Sequence, residues 1–231
     1  MIYAVSDLHG CYDAWLRALD AISFSPSDTI YVLGDAVDRG PEPVRLLRDM
    51  MDRPNVIPLL GNHEYMAASV LTRLAVEITA SNAGSYLTAE DLLAHAFWMQ
   101  NGGGVTLEAF RRLSRTGQAD ILDYLGEFSL YEEVSAGGRD FVLVHAGFEP
   151  FIPGKPLADY GVESTLFTVP ACQDSYFPDR WLVTGHLPTP GRRICRDGRH
   201  YSIDCGCCFG GALGILRLDD LQEFHIPSSV K

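Results

Sequence analysis

Five times along this chain a short apolar run stops and the next residues are ones that can bind a metal. "IYAV" is followed by Ser6-Asp7-Leu8-His9, "IYVL" by Gly34-Asp35, "VIPLL" by Gly61-Asn62-His63, "FVLV" by His145, and "WLVT" by Gly185-His186. A sixth run, "YSI", ends in Asp204. Short continuous apolar runs bounded by turn residues are what strands covered on both faces look like. In open α/β sheets ligands bind in the crevice beyond the carboxyl ends of the strands. Strand ends bearing Asp, Asn and His therefore converge on one crevice, and this pattern constrains both the fold and the place of a site.

Amphipathic helical stretches lie between the strands, among them Tyr12–Ile22 and Pro41–Met51, the second with proline in its first turn. From about Glu64 to Glu127 the chain reads as helical, broken by "SNAGSY" and "NGGG". This segment is expected to be an insertion or cap within a single domain spanning 1–231. Leu130–Val144, turning at "AGGRD", reads as a β-hairpin whose second strand delivers His145, and "LGILRLDDLQEFHI" as another. The order predicts an α/β sandwich of two mixed β-sheets flanked by helices. A chain of 231 residues can bury a sizeable core for such a fold.

The net charge of −12 repels nucleic acid at long range. An anionic substrate would need a local positive centre to overcome that field. No apolar run approaches the roughly 20 residues of a membrane helix, so no membrane partner is expected. The start, "MIYAVSDLHG", is already strand and loop without a basic flank or cleavage site, which points to a cytoplasmic location. The six cysteines are scattered apart from Cys205, Cys207 and Cys208. "CGCC" is one arm of a zinc site at most, so these read as packing thiols.

Asp7 and His9 stand two apart, which in extended chain points both side chains the same way. Taken singly, Asp7 could cap the helix near Tyr12, and Asn62 could serve as a cap or turn residue. His145 and His186 are harder to dismiss, because each ends an apolar strand where a half-buried imidazole needs a partner. The joint set of carboxylate, amide and imidazole, without thiolate, suits manganese foremost, with iron or zinc as the other candidates. Asp7, His9, Asp35, Asn62, His145 and His186 are too many for one ion. Two divalent ions roughly 3.5–4 Å apart and bridged by a carboxylate is the arrangement used for in-line phosphoryl displacement. Asp35, between the two groups in the chain, is the natural bridge.

"SDLHG", "GDAVDRG" and "GNHE", in this order, resemble the GDxHG, GDxxDRG and GNHE motifs of the phosphoprotein phosphatase family. "HAG", "GHLPT" and "IDCGC" resemble its later motifs, and with "GCYDAW" and "WMQNGGGVTL" the likeness is to the bacterial and phage-lambda branch of serine/threonine phosphatases. The resemblance covers nearly the whole chain. It implies that Asp7, His9 and Asp35 hold one metal and Asp35, Asn62, His145 and His186 the other. It further implies that His63 is the general acid, oriented by Asp38, that Arg39 clamps phosphate oxygens, and that a metal-bridging hydroxide attacks phosphorus directly. The expected partner is a phosphoprotein or a small phosphorylated substrate, and a monomer is compatible with all of this.

One departure stands out. Many family members carry a second phosphate-binding arginine where "STLFTVPACQ" offers Thr168 and Val169, and Arg180 or Lys155 are the candidate substitutes. Symmetrical diadenosine tetraphosphate hydrolases share the scaffold but tend to lack the aspartate matching Asp38 and to read GNHD. Asp38 and Glu64 therefore favour a phosphomonoesterase at this stage. A non-catalytic binding protein is disfavoured because every expected ligand and His63 are present.

Overall fold

A computed structural model describes residues 1–76, 82, 86–168 and 175–230. Strand β1 (Ile2–Val5) runs parallel to β2 (Thr29–Val32), and β2 parallel to β3 (Val56–Pro58). The second sheet is built from β4 (Tyr131–Ala136), β5 (Arg139–Val144), β6 (Trp181–Thr184), β7 (Cys195–Asp197) and β8 (His200–Ser202), in the order β4-β5-β6-β8-β7. The terminal hairpin of β9 (Ala212–Arg217) and β10 (Gln222–Pro227) returns to the first sheet, giving β10-β9-β1-β2-β3. Each sheet mixes parallel and antiparallel pairs, with β1, β2, β3 and β5, β6, β8 as the parallel cores.

Period-two alternation divides the strand side chains between layers. Ala4 and Leu33 join Phe141, Leu143, Val183 and Tyr201 in the core between the sheets. Tyr3, Val5, Ile30 and Val32 face outward onto helices α1 (Tyr12–Ala21), α2 (Pro43–Met51) and α3 (Asn62–Ala75), where Trp15, Leu47 and Leu71 are buried. On the outer face of the second sheet Val142, Val144 and Leu182 pack on Phe148, Tyr160 and Phe177. Trimming one of these residues, Leu47 for example, to alanine should cost about 2–5 kcal/mol.

Helix α2 begins at Pro43 rather than Pro41, so it is Pro43 that takes the first-turn position. The expected helical segment is resolved into α3, α4 (Ala89–Gln100), α5 (Gly104–Arg111) and α6 (Arg115–Leu125). Its first expected break, "SNAGSY", falls mostly outside the described residues, at 81 and 83–85. Both expected hairpins form, with β5 delivering His145.

The loops that leave the parallel strands continue to pair after the strands end. Asp7 N donates to Gly34 O at 3.1 Å, His9 N to Asp35 O at 2.7 Å, and Gly185 N to His145 O at 2.8 Å. The loops after β2 and β3 touch backbone to backbone: a Cβ on Gly34, whose φ is +80°, would lie 2.5 Å from Gly61 Cα. Only glycine permits that approach. The pairing carries the rigidity of both sheets out to one edge of the sandwich, where the chemistry-bearing residues stand.

Candidate metal centre and active site

His145 Nδ1 donates to Leu33 O at 2.7 Å, which fixes the proton on that nitrogen and leaves Nε2 bare in the neutral ring. Nε2 lies 2.9 Å from Asn62 Oδ1 and 3.1 Å from His186 Nδ1, and Asn62 Oδ1 is 3.1 Å from the same His186 nitrogen. Three potential lone-pair donors thus meet in a triangle, and Asp35 Oδ1 stands 3.5 Å from His145 Nε2. Asn62 is the first residue of α3 and points inward from there.

The other oxygen of Asp35, Oδ2, lies 3.6 Å from His9 Nε2. His9 is oriented in the same way as His145, its Nδ1 donating to Val37 O at 2.8 Å. Asp7 does not cap α1, whose N-cap is Cys11. Its Oδ2 instead accepts from His186 N at 2.9 Å, while its buried Oδ1 has no hydrogen-bond partner. Asp35 is the residue common to the two sets, facing one imidazole with each oxygen.

The electrostatics agree with the geometry. Burial drives the Asp7 and Asp35 carboxyls well above the ordinary range, with crowding by neighbouring acids adding to it. Burial also pushes Asp204 up to about 6. The same desolvation lowers His9 and His145 well below the usual imidazole value and His186 to about 4, so all three rings are neutral; the Nε2 lone pair of His145 is bare, whereas that of His9 accepts from Arg39 Nη1. Crowded carboxylates, neutral imidazoles, bare lone pairs and an orphaned carboxylate oxygen fit divalent cations on either side of Asp35. Bound there, such ions polarise phosphoryl oxygens and lower the pKa of water.

His63 sits at the inner end of α3 and is fully buried. Its Nδ1 bonds to Asp38 Oδ2 at 2.7 Å. Its Nε2 has no hydrogen-bond partner and lies 3.9 Å from Asp35 Oδ2. By distance alone His63 also completes a three-residue set with His9 and Asp35, their ligand atoms mutually within 4.8 Å. Arg39 Nη1 reaches His9 Nε2 at 2.7 Å, and its guanidinium lies 5.2 Å from the ring centre of Phe209.

Three sequence expectations change here. Glu64 does not face a substrate: it is buried and its carboxylate accepts from the backbone N–H groups of Asp35, Ala36, Val37 and Gly61 at 2.7–3.0 Å. It is a bracket for the Asp35 loop, and its identity carries no direct reading of substrate. Arg180 enters β6 at the end opposite His186, paired with Glu133, and lines a separate cavity with Lys155. Neither supplies the second phosphate-binding cation, and Val169 lies outside the described residues. The third change is an addition, since Asp38 also accepts from Trp98 Nε1 at 2.8 Å and Thr106 Oγ1 at 2.6 Å. "WMQNGGGVTL" contains both residues, but a helix-period reading cannot say which side chain reaches back about sixty positions.

The backbone at the site is left-handed. Asp7, His9, Asp35, Asp38, Arg39 and His186 have φ between 41° and 73° and make up six of the nine such non-glycine residues among those described. Each costs of order 1–3 kcal/mol and persists only where surrounding structure imposes it.

The calcineurin-like phosphoesterase model matches residues 1–211. A symmetrical bis(5'-nucleosyl)-tetraphosphatase of Dechloromonas aromatica is 26% identical, over 98% of this chain and 96% of its own. A solved structure described as a candidate diadenosine tetraphosphatase superposes with a TM-score of 0.65 at 20% identity, covering 98% of this chain and 93% of that one. A protein serine/threonine phosphatase from Saccharomyces cerevisiae superposes at 0.60 with 15% identity, covering 100% and 80%. With the metal-competent strand ends in place and the family model covering the whole second sheet and the parallel strands of the first, the chain belongs to the calcineurin-like phosphoesterases.

Proposed function

We propose that this single-domain chain is a metal-dependent phosphohydrolase whose foremost substrates are dinucleoside polyphosphates, bis(5'-nucleosyl)-tetraphosphates in particular. The observation that carries this reading is the relative of that name aligned over nearly the full length of both chains. With Glu64 turned to the backbone, half of the sequence argument against a dinucleotide disappears. In the proposal Asp7, His9 and Asp35 hold one divalent ion and Asp35, Asn62, His145 and His186 the other, manganese being the first choice for such hard and borderline ligands. With six other ligands for two ions, His63 is left to act as the acid. Arg39 clamps phosphate oxygens, as its planar fork suits. Water forms a bond to phosphorus and loses a proton to solvent, the bond to the leaving oxygen breaks, and His63 Nε2 gives that oxygen its proton and is reprotonated from solvent.

A second reading, hydrolysis of phosphomonoesters including phosphoserine and phosphothreonine, is favoured by the Asp38–His63 pair. A held acid matters most for a basic alkoxide leaving group, and a nucleotide leaving group needs it less. The deciding measurement is the ratio of kcat/KM on diadenosine tetraphosphate to that on a phosphothreonine peptide. A ratio well above one is expected, and a ratio well below one would put the monoesterase first.

A further inference from the structure

We propose that Trp98 and Thr106 are positioning residues for the Asp38–His63 pair, making the corner between α4 and α5 a working part of the catalytic apparatus. The inference rests on His63 acting as the acid. Asp38 is completely buried, and its two carboxylate oxygens are allotted between three donors. Oδ2 takes His63 Nδ1 and Trp98 Nε1, at 2.7 and 2.8 Å, and Oδ1 takes the Thr106 hydroxyl at 2.6 Å. The Thr106 oxygen also accepts from Asp38 N at 2.9 Å, closing a ring that holds the residue in its left-handed conformation. With all three donors in place the carboxylate cannot turn about its own axis, and the imidazole it holds cannot turn either. Remove Trp98 Nε1 or the hydroxyl and the charge remains buried, but its direction is no longer set.

Two further observations mark this corner as more than core packing. Trp98 is the only buried residue of α4, while Leu92, Leu93 and Phe97 of the same helix are exposed. The helix thus presents its indole to the body of the protein, and the indole N–H is spent on Asp38. The turn that follows also grips the neighbouring arginine. Arg39 N donates to Gly102 O at 3.1 Å, and a Cβ on Gly102, whose φ is +96°, would come within 2.8 Å of Arg39 Cγ. A Cβ on Gly103 would strike the Trp98 ring at 2.4 Å. One corner therefore sets both the proton donor's partner and the base of the phosphate clamp.

The test compares Trp98→Phe, Thr106→Val, Thr106→Ser and His63→Asn on 4-nitrophenyl phosphate, whose leaving group needs no proton, and phenyl phosphate, whose leaving group does. Trp98→Phe and Thr106→Val should lose about 10-fold on phenyl phosphate and no more than about 3-fold on the nitrophenyl ester, with metal content unchanged. Thr106→Ser restores the hydroxyl and should recover most of the loss. In metal-free protein, the His63 Nδ1 proton, identified by its disappearance in His63→Asn, should exchange with water faster in Thr106→Val than in Thr106→Ser. Equal losses on both esters, with serine no better than valine and proton exchange unchanged, would overturn the proposal. If His63→Asn itself loses equally on both esters, it is the acid assignment that fails. Should Trp98→Phe not fold, the Thr106 pair decides alone.

Discussion

Asn62 and His145 face each other acceptor to acceptor, with Oδ1 2.9 Å from the bare ring nitrogen Nε2, the ring's proton being on Nδ1 and donated to Leu33 O. Two facing lone pairs repel each other, and a cation held between them turns that repulsion into attraction. Adding Mn²⁺ to metal-free protein should therefore raise its melting temperature. At a concentration 100-fold above Kd one site contributes about 2.7 kcal/mol, or roughly 5–10 °C for a chain of this size. Asn62→Ala and His145→Ala should reduce the rise, and a melting curve indifferent to Mn²⁺, Fe²⁺ and Zn²⁺ would remove the assignment.

Asp35 stands between the two halves of the site, 3.6 Å from His9 and 3.5 Å from His145. Asp35→Asn should lower the bound metal toward one ion or none and reduce kcat more than Asp7→Asn or His186→Asn does. Metal analysis after gel filtration is the check. Two ions retained at near-normal rate would show that Asp35 is not the bridge.

Glu64 tests stability apart from chemistry. Glu64→Gln turns an amide group toward backbone N–H donors and leaves at least two of the four without an acceptor. Stranding each costs about 1–3 kcal/mol, so a loss of roughly 2–6 kcal/mol is expected in denaturant unfolding. The preference between dinucleotide and monoester should move little. A large change in preference with unchanged stability would return Glu64 to a substrate-reading role.

Asp49 offers a pH test away from the site. It accepts from the buried Trp15 Nε1 at 2.7 Å and pairs with Arg53. Burial alone would raise its pKa, but the hydrogen bonds from Arg53 and Trp15 outweigh burial and hold it below the ordinary value. The unfolded chain then binds the proton more readily, so this contribution is present above about pH 4 and is lost as the pH falls through the folded value. Asp49→Ala should cost about 1–3 kcal/mol at neutral pH by stranding the indole N–H, and should flatten the acid limb of the stability curve. An acid limb identical to the parent's would remove the assignment.

The strand ends were legible because covered parallel strands read as plain apolar runs and the residues after them are chemically conspicuous. The carboxyl-end rule then brought Asp7, Asp35, Asn62, His145 and His186 together without any pairing being known. The brackets were not legible. Glu64 sits in a recognisable motif, yet nothing in its spacing says that it turns back onto N–H groups 27 to 29 residues earlier. Trp98 and Thr106 reach Asp38 across 60 and 68 residues, and Trp98 does so from a helix whose amphipathic pattern is weak because Leu92, Leu93 and Phe97 face outward. Hydrogen-bond partners of that kind are decided by tertiary approach, which local periodicity does not encode.

The left-handed backbone at Asp7, Asp35 and His186 sets two kinds of selection against each other. Glycine at any of these positions would relieve local strain while removing a group that the site uses. A library sorted for resistance to heat or protease should tolerate or enrich such substitutions, and one sorted for phosphate release should reject the same ones. Where the two rankings cross along the chain, they would outline the working surface without reference to any substrate.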